Sequence, residues 1–144
     1  MRMTSTGSVG IGTTSPQAAL DVSGSVAAGS TYEGTVAYVN SSTAYTIPDT
    51  TSNVRRITLT GNATITLPAF TTPTVKIYVL TLFLKQDATG SRTVSFLGNG
   101  TDTIMWDTGT QPVITPTIGE ITILQFMKSS DETVWYGSMV WRQN

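Results

Sequence analysis

The 144-residue sequence contains no histidine and no cysteine. Without these residues, neither a Ser-His-Asp or Cys-His nucleophile system nor a common zinc site can form. The lack of cysteine also excludes a disulfide framework, so stability has to come from packing or oligomerisation. We therefore expect no metal and no cofactor.

Charge is also scarce. Charged residues make up 12% of the sequence, about half the share of about 25% that is usual in soluble domains. The basic residues are scattered and the net charge is −1, which argues against binding to nucleic acid or to anionic membranes. No apolar run approaches the about 20 residues of a membrane-spanning helix, and the N-terminus lacks the apolar stretch of a signal peptide. We expect no membrane insertion.

Carboxylates are too few and too dispersed to favour an enzyme. The chain has nine, and a glycosidase needs two of them held about 5 to 10 Å apart across a cleft. Two pairs of carboxylates are close in the sequence. Asp102 and Asp107 flank Trp106. Asp131 and Glu132 are adjacent in a predicted hairpin turn, where charged residues are solvated by default. The sequence therefore predicts a protein that is not an enzyme.

The residues that are abundant favour β structure. Threonine is about a fifth of the chain, and its β-branched side chain suits strands. From residue 32 onward, apolar runs alternate with turn residues at intervals of about 8 to 12 residues, as in sandwiches and barrels. We predict an all-β head, an antiparallel jelly-roll-like sandwich, over residues 32–144. Its strands are predicted near residues 35–39, 44–47, 54–60, 64–67, 75–85, 93–97, 103–106, 113–115, 121–128 and 134–141.

Alternation within the strands predicts which side chains point inward. Ile57, Leu59, Ile65 and Leu67 share one parity and threonines occupy the other, which predicts a half-buried hairpin around Gly61 with a threonine-coated outer face. Residues 87–92, DATGSR, are predicted to form a second hairpin loop. In this loop Gly90 would adopt a positive φ, Asp87 would close the turn, and Arg92 would pair with Asp87.

Two predicted strands are apolar on both faces. Residues 75–85 carry Val79 and Phe83 opposite three leucines, and residues 121–128 carry Ile121, Ile123 and Met127 opposite Leu124 and Phe126. A sandwich buries one face of each sheet, so the other face needs a second cover. The cover is either a neighbouring subunit or the long loop 98–116, and the sequence leaves both open. The residues predicted to form the core or the subunit interface are Leu80, Leu82, Leu84, Leu124, Phe126 and Trp141.

Residues 1–31 have too few apolar side chains to fold alone. They form either a flexible tail or a segment ordered by other chains. In a homotrimer, Val9, Ile11, Leu20 and Val22 would form a shared core.

Three segments resemble phage fibre proteins. Residues 7–26, GSVGIGTTSPQAALDVSGSV, resemble the stalk segments of bacteriophage tail fibres. Residues 85–96, KQDATGSRTVSF, and residues 132–141, ETVWYGSMVW, resemble a small β module that recurs in phage and prophage fibre proteins. The resemblance implies a homotrimeric structural protein of the virion, with an extended N-terminal stalk (residues 1–31) that docks on other virion proteins and a head that contacts the host surface. A tail fibre, a short appendage and a capsid fibre or decoration protein are all compatible with it.

The loop 98–116 is the predicted place of host recognition, because binding residues concentrate on loops carried by a rigid scaffold. Asn99, Asp102, Trp106 and Asp107 could hold a host-surface glycan through stacking and carboxylate hydrogen bonds. The alternative is that this loop caps the sandwich and that Trp106 fills the core. A carbohydrate-binding module and a small capsule depolymerase are the competing functional classes.

Overall fold

The computed structural model describes residues 1–5, 7–34, 36–49, 52–70 and 76–143. These residues form strands and irregular segments and contain no helix, so the all-β prediction is confirmed. The strands are β1 (Arg2–Met3), β2 (Val9–Ile11), β3 (Leu20–Val22), β4 (Val39–Ser41), β5 (Ala44–Thr46), β6 (Val54–Leu59), β7 (Ala63–Thr66), β8 (Ile77–Gln86), β9 (Val94–Leu97), β10 (Thr103–Trp106), β11 (Ile121–Ser129) and β12 (Val134–Arg142).

Strand directions are mixed. The large sheet has six strands in the order β10-β12-β11-β8-β6-β4, and a second sheet has the order β5-β7-β9. In the large sheet β11 is antiparallel to both of its neighbours, β12 and β8. The remaining strand pairs of this sheet are parallel. Every pair in the three-stranded sheet is parallel. The prediction of an antiparallel sandwich is therefore wrong, and the jelly-roll topology is not confirmed.

The parallel pairs arise because the chain winds between the two sheets. From β4 to β10, successive strands alternate between the six-stranded and the three-stranded sheet. Up to β9, each return to a sheet places the new strand beside the strand laid down one turn earlier, whereas β10 lies beside β12 at the far edge of the large sheet. Parallel neighbours need such a crossover, whereas a tight hairpin produces antiparallel ones.

The predicted hairpin around Gly61 is consequently wrong, since β6 and β7 lie in different sheets. The predicted parity is nevertheless confirmed, because Ile57, Leu59, Ile65 and Leu67 are all buried. They point into the core from opposite sides. The loop 87–92 likewise connects β8 and β9 across the two sheets and is not a hairpin.

The connection between β6 and β7 at Gly61, which we call the corner at Gly61, packs tightly against the connection between β4 and β5. A Cβ atom on Gly61 would overlap the carbonyl oxygen of Ser42, so only glycine fits there. The side chain of Asn62 accepts a hydrogen bond from the backbone N–H of Thr93, 3.0 Å away in the next turn. These contacts give the Gly-Asn pair a structural role.

Two predicted strands differ from the structure. Residues 113–115 are irregular, and the strand predicted at 35–39 is found instead at Val39–Ser41. Positions 35 and 75, where two predicted strands begin, lie outside the described residues.

The core lies between the two sheets and includes most of the predicted core residues. Leu80, Leu82, Leu84, Leu124 and Phe126 are buried within one chain, each contributing about 1.5 to 3 kcal/mol by leaving water. They join Ile65 and Phe96 of the facing sheet in one cluster. Trp141, by contrast, is 47% exposed.

The short strands β1, β2 and β3 form a small third sheet. β2 pairs antiparallel with β1 and parallel with β3. The parallel register sets Val9 beside Leu20 and Ile11 beside Val22, so these four side chains lie on one face of the sheet. No helix among the described residues is long and apolar enough to cross a membrane.

Candidate functional site

A buried ion pair lies where β10 begins. The Lys128 ammonium contacts Oδ2 of Asp102, and the two side chains are 3% and 8% exposed. Lys128 also donates to the carbonyl oxygen of Ala69 at 3.1 Å. The indole Nε1–H of the fully buried Trp135 donates to the same Asp102 oxygen at 3.3 Å. Because a buried charge is costly unless it is paired and hydrogen-bonded, these contacts hold the two side chains in place.

Sequence reasoning missed Lys128, although the sequence contains the signal for it. Lys128 has the same parity on β11 as the buried Leu124 and Phe126. A lysine at an inward position of a strand needs a carboxylate partner. Asp102, one of the predicted glycan-binding residues, is that partner.

The ion pair forms part of the wall of an open cavity of about 490 Å³. The cavity is lined by Ala69, Asn99, Gly100, Thr101, Asp102, Lys128, Ser130, Asp131, Glu132 and Thr133. It therefore unites the predicted Asn99 and Asp102 with the turn after β11. In that turn the Ser129 hydroxyl hydrogen-bonds to Asp131 and lowers the pKa of its carboxyl group.

Trp106 and Asp107 do not line this cavity. Trp106 is half-buried, and its ring centroid lies 5.6 Å from that of Phe96 and 5.4 Å from that of Phe126. A Cβ atom on Gly137 would come within 2.9 Å of the Trp106 ring, so a glycine in β12 makes room for it. Asp107 is exposed just beyond the end of β10. The four residues proposed for one glycan site are thus divided between two places, and Trp106 packs against the core.

The second half of the loop 98–116 closes one side of the sandwich. The Gln111 side chain donates to the carbonyl of Val94 at 2.6 Å and accepts from the N–H of Phe96 at 3.2 Å. It thereby occupies the free backbone groups on the edge of β9. Ile114 is buried in the core. The loop thus runs along the edge of the three-stranded sheet.

The outer face of the six-stranded sheet, by contrast, carries two rows of apolar side chains that are exposed or half-buried. The first row runs through Met105, Tyr136, Met127 and Val79 on neighbouring strands. The exposed fractions of Met105, Tyr136 and Met127 are 58%, 46% and 46%. We call this the methionine row.

The second row, the tryptophan row, consists of Trp141, Ile123 and Phe83. Ser138, Gln125 and Thr81 form a neutral polar row between the two. The strands predicted to be apolar on both faces therefore bury one face and present the other at the surface of the chain.

The loop 87–92 has a structural role. Gln86, buried on β8, donates to the carbonyls of Arg92 and Thr115 and accepts from the Arg92 N–H at 2.9 Å. Arg92 pairs with Asp87 at 3.0 Å, and Gly90 has φ +70°, both as predicted. The hydrogen bond from Arg92 lowers the pKa of the Asp87 carboxyl, and the N–H groups of Gly90 and Thr89 act in the same direction. The segment QDATGSR thus connects the sheets.

Within the described part of the chain, no group of three or more acidic side chains could hold a metal ion.

Comparison with known proteins finds one family. The family model described as Putative phage tail fibre C-terminal domain matches residues 45–131, more than half of the 144 residues. The matched span includes the corner at Gly61, the QDATGSR loop and the Asp102–Lys128 ion pair. No curated protein and no solved structure matches the chain. From the family match we conclude that the chain belongs to the phage tail fibre C-terminal domain family and is a phage fibre protein.

Proposed function

We propose that this chain forms a homotrimeric, non-enzymatic fibre of the virion, whose β head contributes to attachment to the host surface. The observation that carries the proposal is the pair of apolar rows on the outer face of the six-stranded sheet. Apolar side chains that are gathered in rows on one face, rather than scattered singly, mark an interaction site in a soluble protein. A second copy of the chain is the occupant we propose.

The composition of the face supports self-association. The residues between the two rows, Ser138, Gln125 and Thr81, are neutral and can pair across an interface without the cost of desolvating charges. Met, Tyr and Trp are also the residue types enriched in the buried centres of protein interfaces. The second half of the loop 98–116, the alternative cover, runs instead along the edge of β9, where Gln111 bonds to its backbone.

The small N-terminal sheet supports a stalk that is completed by other chains. Val9, Ile11, Leu20 and Val22 share one face, and Leu20 is 60% exposed. We propose that residues 1–31 associate around a threefold axis and dock on other virion proteins, and that residues 32–144 form the projecting head. The family match supports a tail position; a capsid fibre is the alternative.

The proposal of a non-enzymatic role is supported by the structural contacts of Asp102. Its Oδ2 accepts hydrogen bonds from Lys128 and Trp135. Incubation of the protein with host capsular polysaccharide should release no new reducing ends. Sustained release would identify a depolymerase instead.

Charge insertion into the rows tests the proposed function. Met127→Glu and Trp141→Glu each place a carboxylate on the proposed interface and should convert trimers to monomers, as measured by analytical ultracentrifugation. Adsorption to host cells should fall with them, because three linked sites bind more tightly than one. Leu97→Glu is the matched control, since Leu97 is exposed on the outside of the other sheet. If Leu97→Glu dissociates the protein as readily as the other two variants, the outer face is not the interface.

A further inference from the structure

We infer that the cavity bounded by Asp102 and Lys128 binds a saccharide through two neighbouring hydroxyl groups. The inference deepens the proposed attachment function and rests on it, because it names the ligand class of the head. The site combines the predicted residues Asn99 and Asp102 with Lys128 and the turn after β11.

The first argument is the hydrogen-bonding capacity left over in the ion pair. Both contacts to Asp102 are made to Oδ2, and no described residue donates to Oδ1. Lys128 has three N–H donors, of which two are directed to Asp102 and Ala69. An acceptor and a donor therefore remain side by side in the cavity wall, on two side chains that are more than nine-tenths buried.

This pairing matches the chemistry of a diol. Each hydroxyl can donate one hydrogen bond and accept others, so one hydroxyl can donate to Asp102 Oδ1 while its neighbour accepts from Lys128 Nζ. Hydrogen bonds to charged groups are the stronger ones. Because the ion pair is anchored by Trp135 and Ala69, its geometry is set before the ligand arrives, which reduces the entropic cost of binding.

The rim of the cavity selects against acidic sugars. The charges of Asp102 and Lys128 cancel, whereas Asp131 and Glu132 are exposed at the opening and leave it negative. Asn99, Thr101 and Ser130 supply further neutral donors and acceptors. The expected ligands are neutral or amino-bearing saccharides, and carboxylated saccharides should be excluded.

The indole N–H of Trp135 is a direct reporter of this site, because its acceptor is Asp102. We expect a titration of the ¹⁵N-labelled full chain with glucose, galactose, mannose, glucosamine and sialic acid at millimolar concentrations to shift the Trp135 indole resonance. At least one neutral or amino sugar should shift this resonance, and sialic acid should not. Trp106 and Trp141 lie outside the cavity lining and provide internal controls.

A variant that fills the cavity provides the second arm. Thr101 is exposed at the rim, and Thr101→Arg should weaken sugar binding by about tenfold or more without unfolding the chain, which corresponds to about 1.4 kcal/mol. Thr110→Arg, an exposed threonine outside the cavity, should leave binding unchanged. The inference is overturned if no sugar shifts the Trp135 resonance, if sialic acid is the preferred ligand, or if Thr101→Arg binds as the wild type does. Sugar binding by a protein that fails to adsorb to cells would instead refute the attachment role alone.

Discussion

Lys128 and Gln86 occupy inward positions among leucine and phenylalanine side chains, and both are almost fully buried. The side-chain hydrogen bonds of each residue join separate segments of the chain. Lys128 connects β11 to Asp102 and Ala69, and Gln86 connects β8 to the segments around Arg92 and Thr115. Buried polar groups of this kind favour one topology over alternatives, since any other pairing would leave them unsatisfied.

Lys128→Met tests the buried pair. It leaves the Asp102 carboxylate buried without its cation, and we expect a loss of about 3 to 5 kcal/mol in the free energy of unfolding. The double variant Asp102→Leu/Lys128→Met should be more stable than Lys128→Met alone, because it removes both charges. Lys76→Met, at an exposed lysine, should change stability by less than about 0.5 kcal/mol. Urea denaturation at one fixed protein concentration measures all three; equal stability of Lys128→Met and Lys76→Met would contradict the assignment.

The lowered pKa of Asp87 predicts how the stability of the fold depends on pH. Its folded-state pKa is lowered below the ordinary 3.8, chiefly by the hydrogen bond from Arg92. The contribution of this carboxylate to stability is therefore complete above the unfolded pKa and is lost as the pH falls through the folded pKa. Arg92→Gln should raise the pKa of Asp87, measured by NMR titration of its carboxyl carbon. It should also reduce the part of the acid destabilisation that arises below about pH 4. An unchanged Asp87 titration in Arg92→Gln would show that Arg92 is not the cause.

The strands themselves were largely predictable, because alternation of apolar and polar residues reports which face is buried. Nine of the ten predicted strands have a counterpart in the structure, and the inward parity of Ile57, Leu59, Ile65 and Leu67 is confirmed. Their pairing was not predictable in this way. A hairpin and a crossover between facing sheets impose the same parity on the two strands, so the pattern around Gly61 is compatible with both. The deciding contacts, such as Asn62 with Thr93, join residues far apart in the sequence.

Engineered cysteines distinguish the two pairings, and the chain has no native cysteine to interfere. Thr64 and Ser95 are register partners on β7 and β9, with their hydroxyl oxygens 3.1 Å apart. Thr64→Cys/Ser95→Cys should therefore cross-link on mild oxidation. Thr58→Cys/Thr66→Cys, which a β6–β7 hairpin would bring together, should stay reduced, because these strands lie in different sheets. Mass spectrometry and non-reducing electrophoresis give the readout, and the opposite result would restore the hairpin.

At the scale of the whole molecule, apolar side chains gather in three places at the surface of the described chain. The methionine row, the tryptophan row and the apolar face of the N-terminal sheet each combine exposed and half-buried side chains, in a chain with only 12% charged residues. The apolar character of the outer face was predictable from two strands that are apolar on both faces. The polar cavity was not, because Asp102 and the turn after β11 meet only through the pairing of β10 with β12 and of β12 with β11. Of the predicted glycan-binding residues, Asn99 and Asp102 line the cavity.

Sedimentation equilibrium of the unmodified chain at micromolar concentration tests the proposed assembly most directly. If the outer face of the six-stranded sheet and the N-terminal sheet are completed by other copies, the measured mass should be three times the 15.3 kDa of one chain. It should stay at that value on dilution through the micromolar range, as expected for an interface with a buried apolar centre. A stable species with the mass of a single chain would contradict the proposal of a homotrimeric fibre.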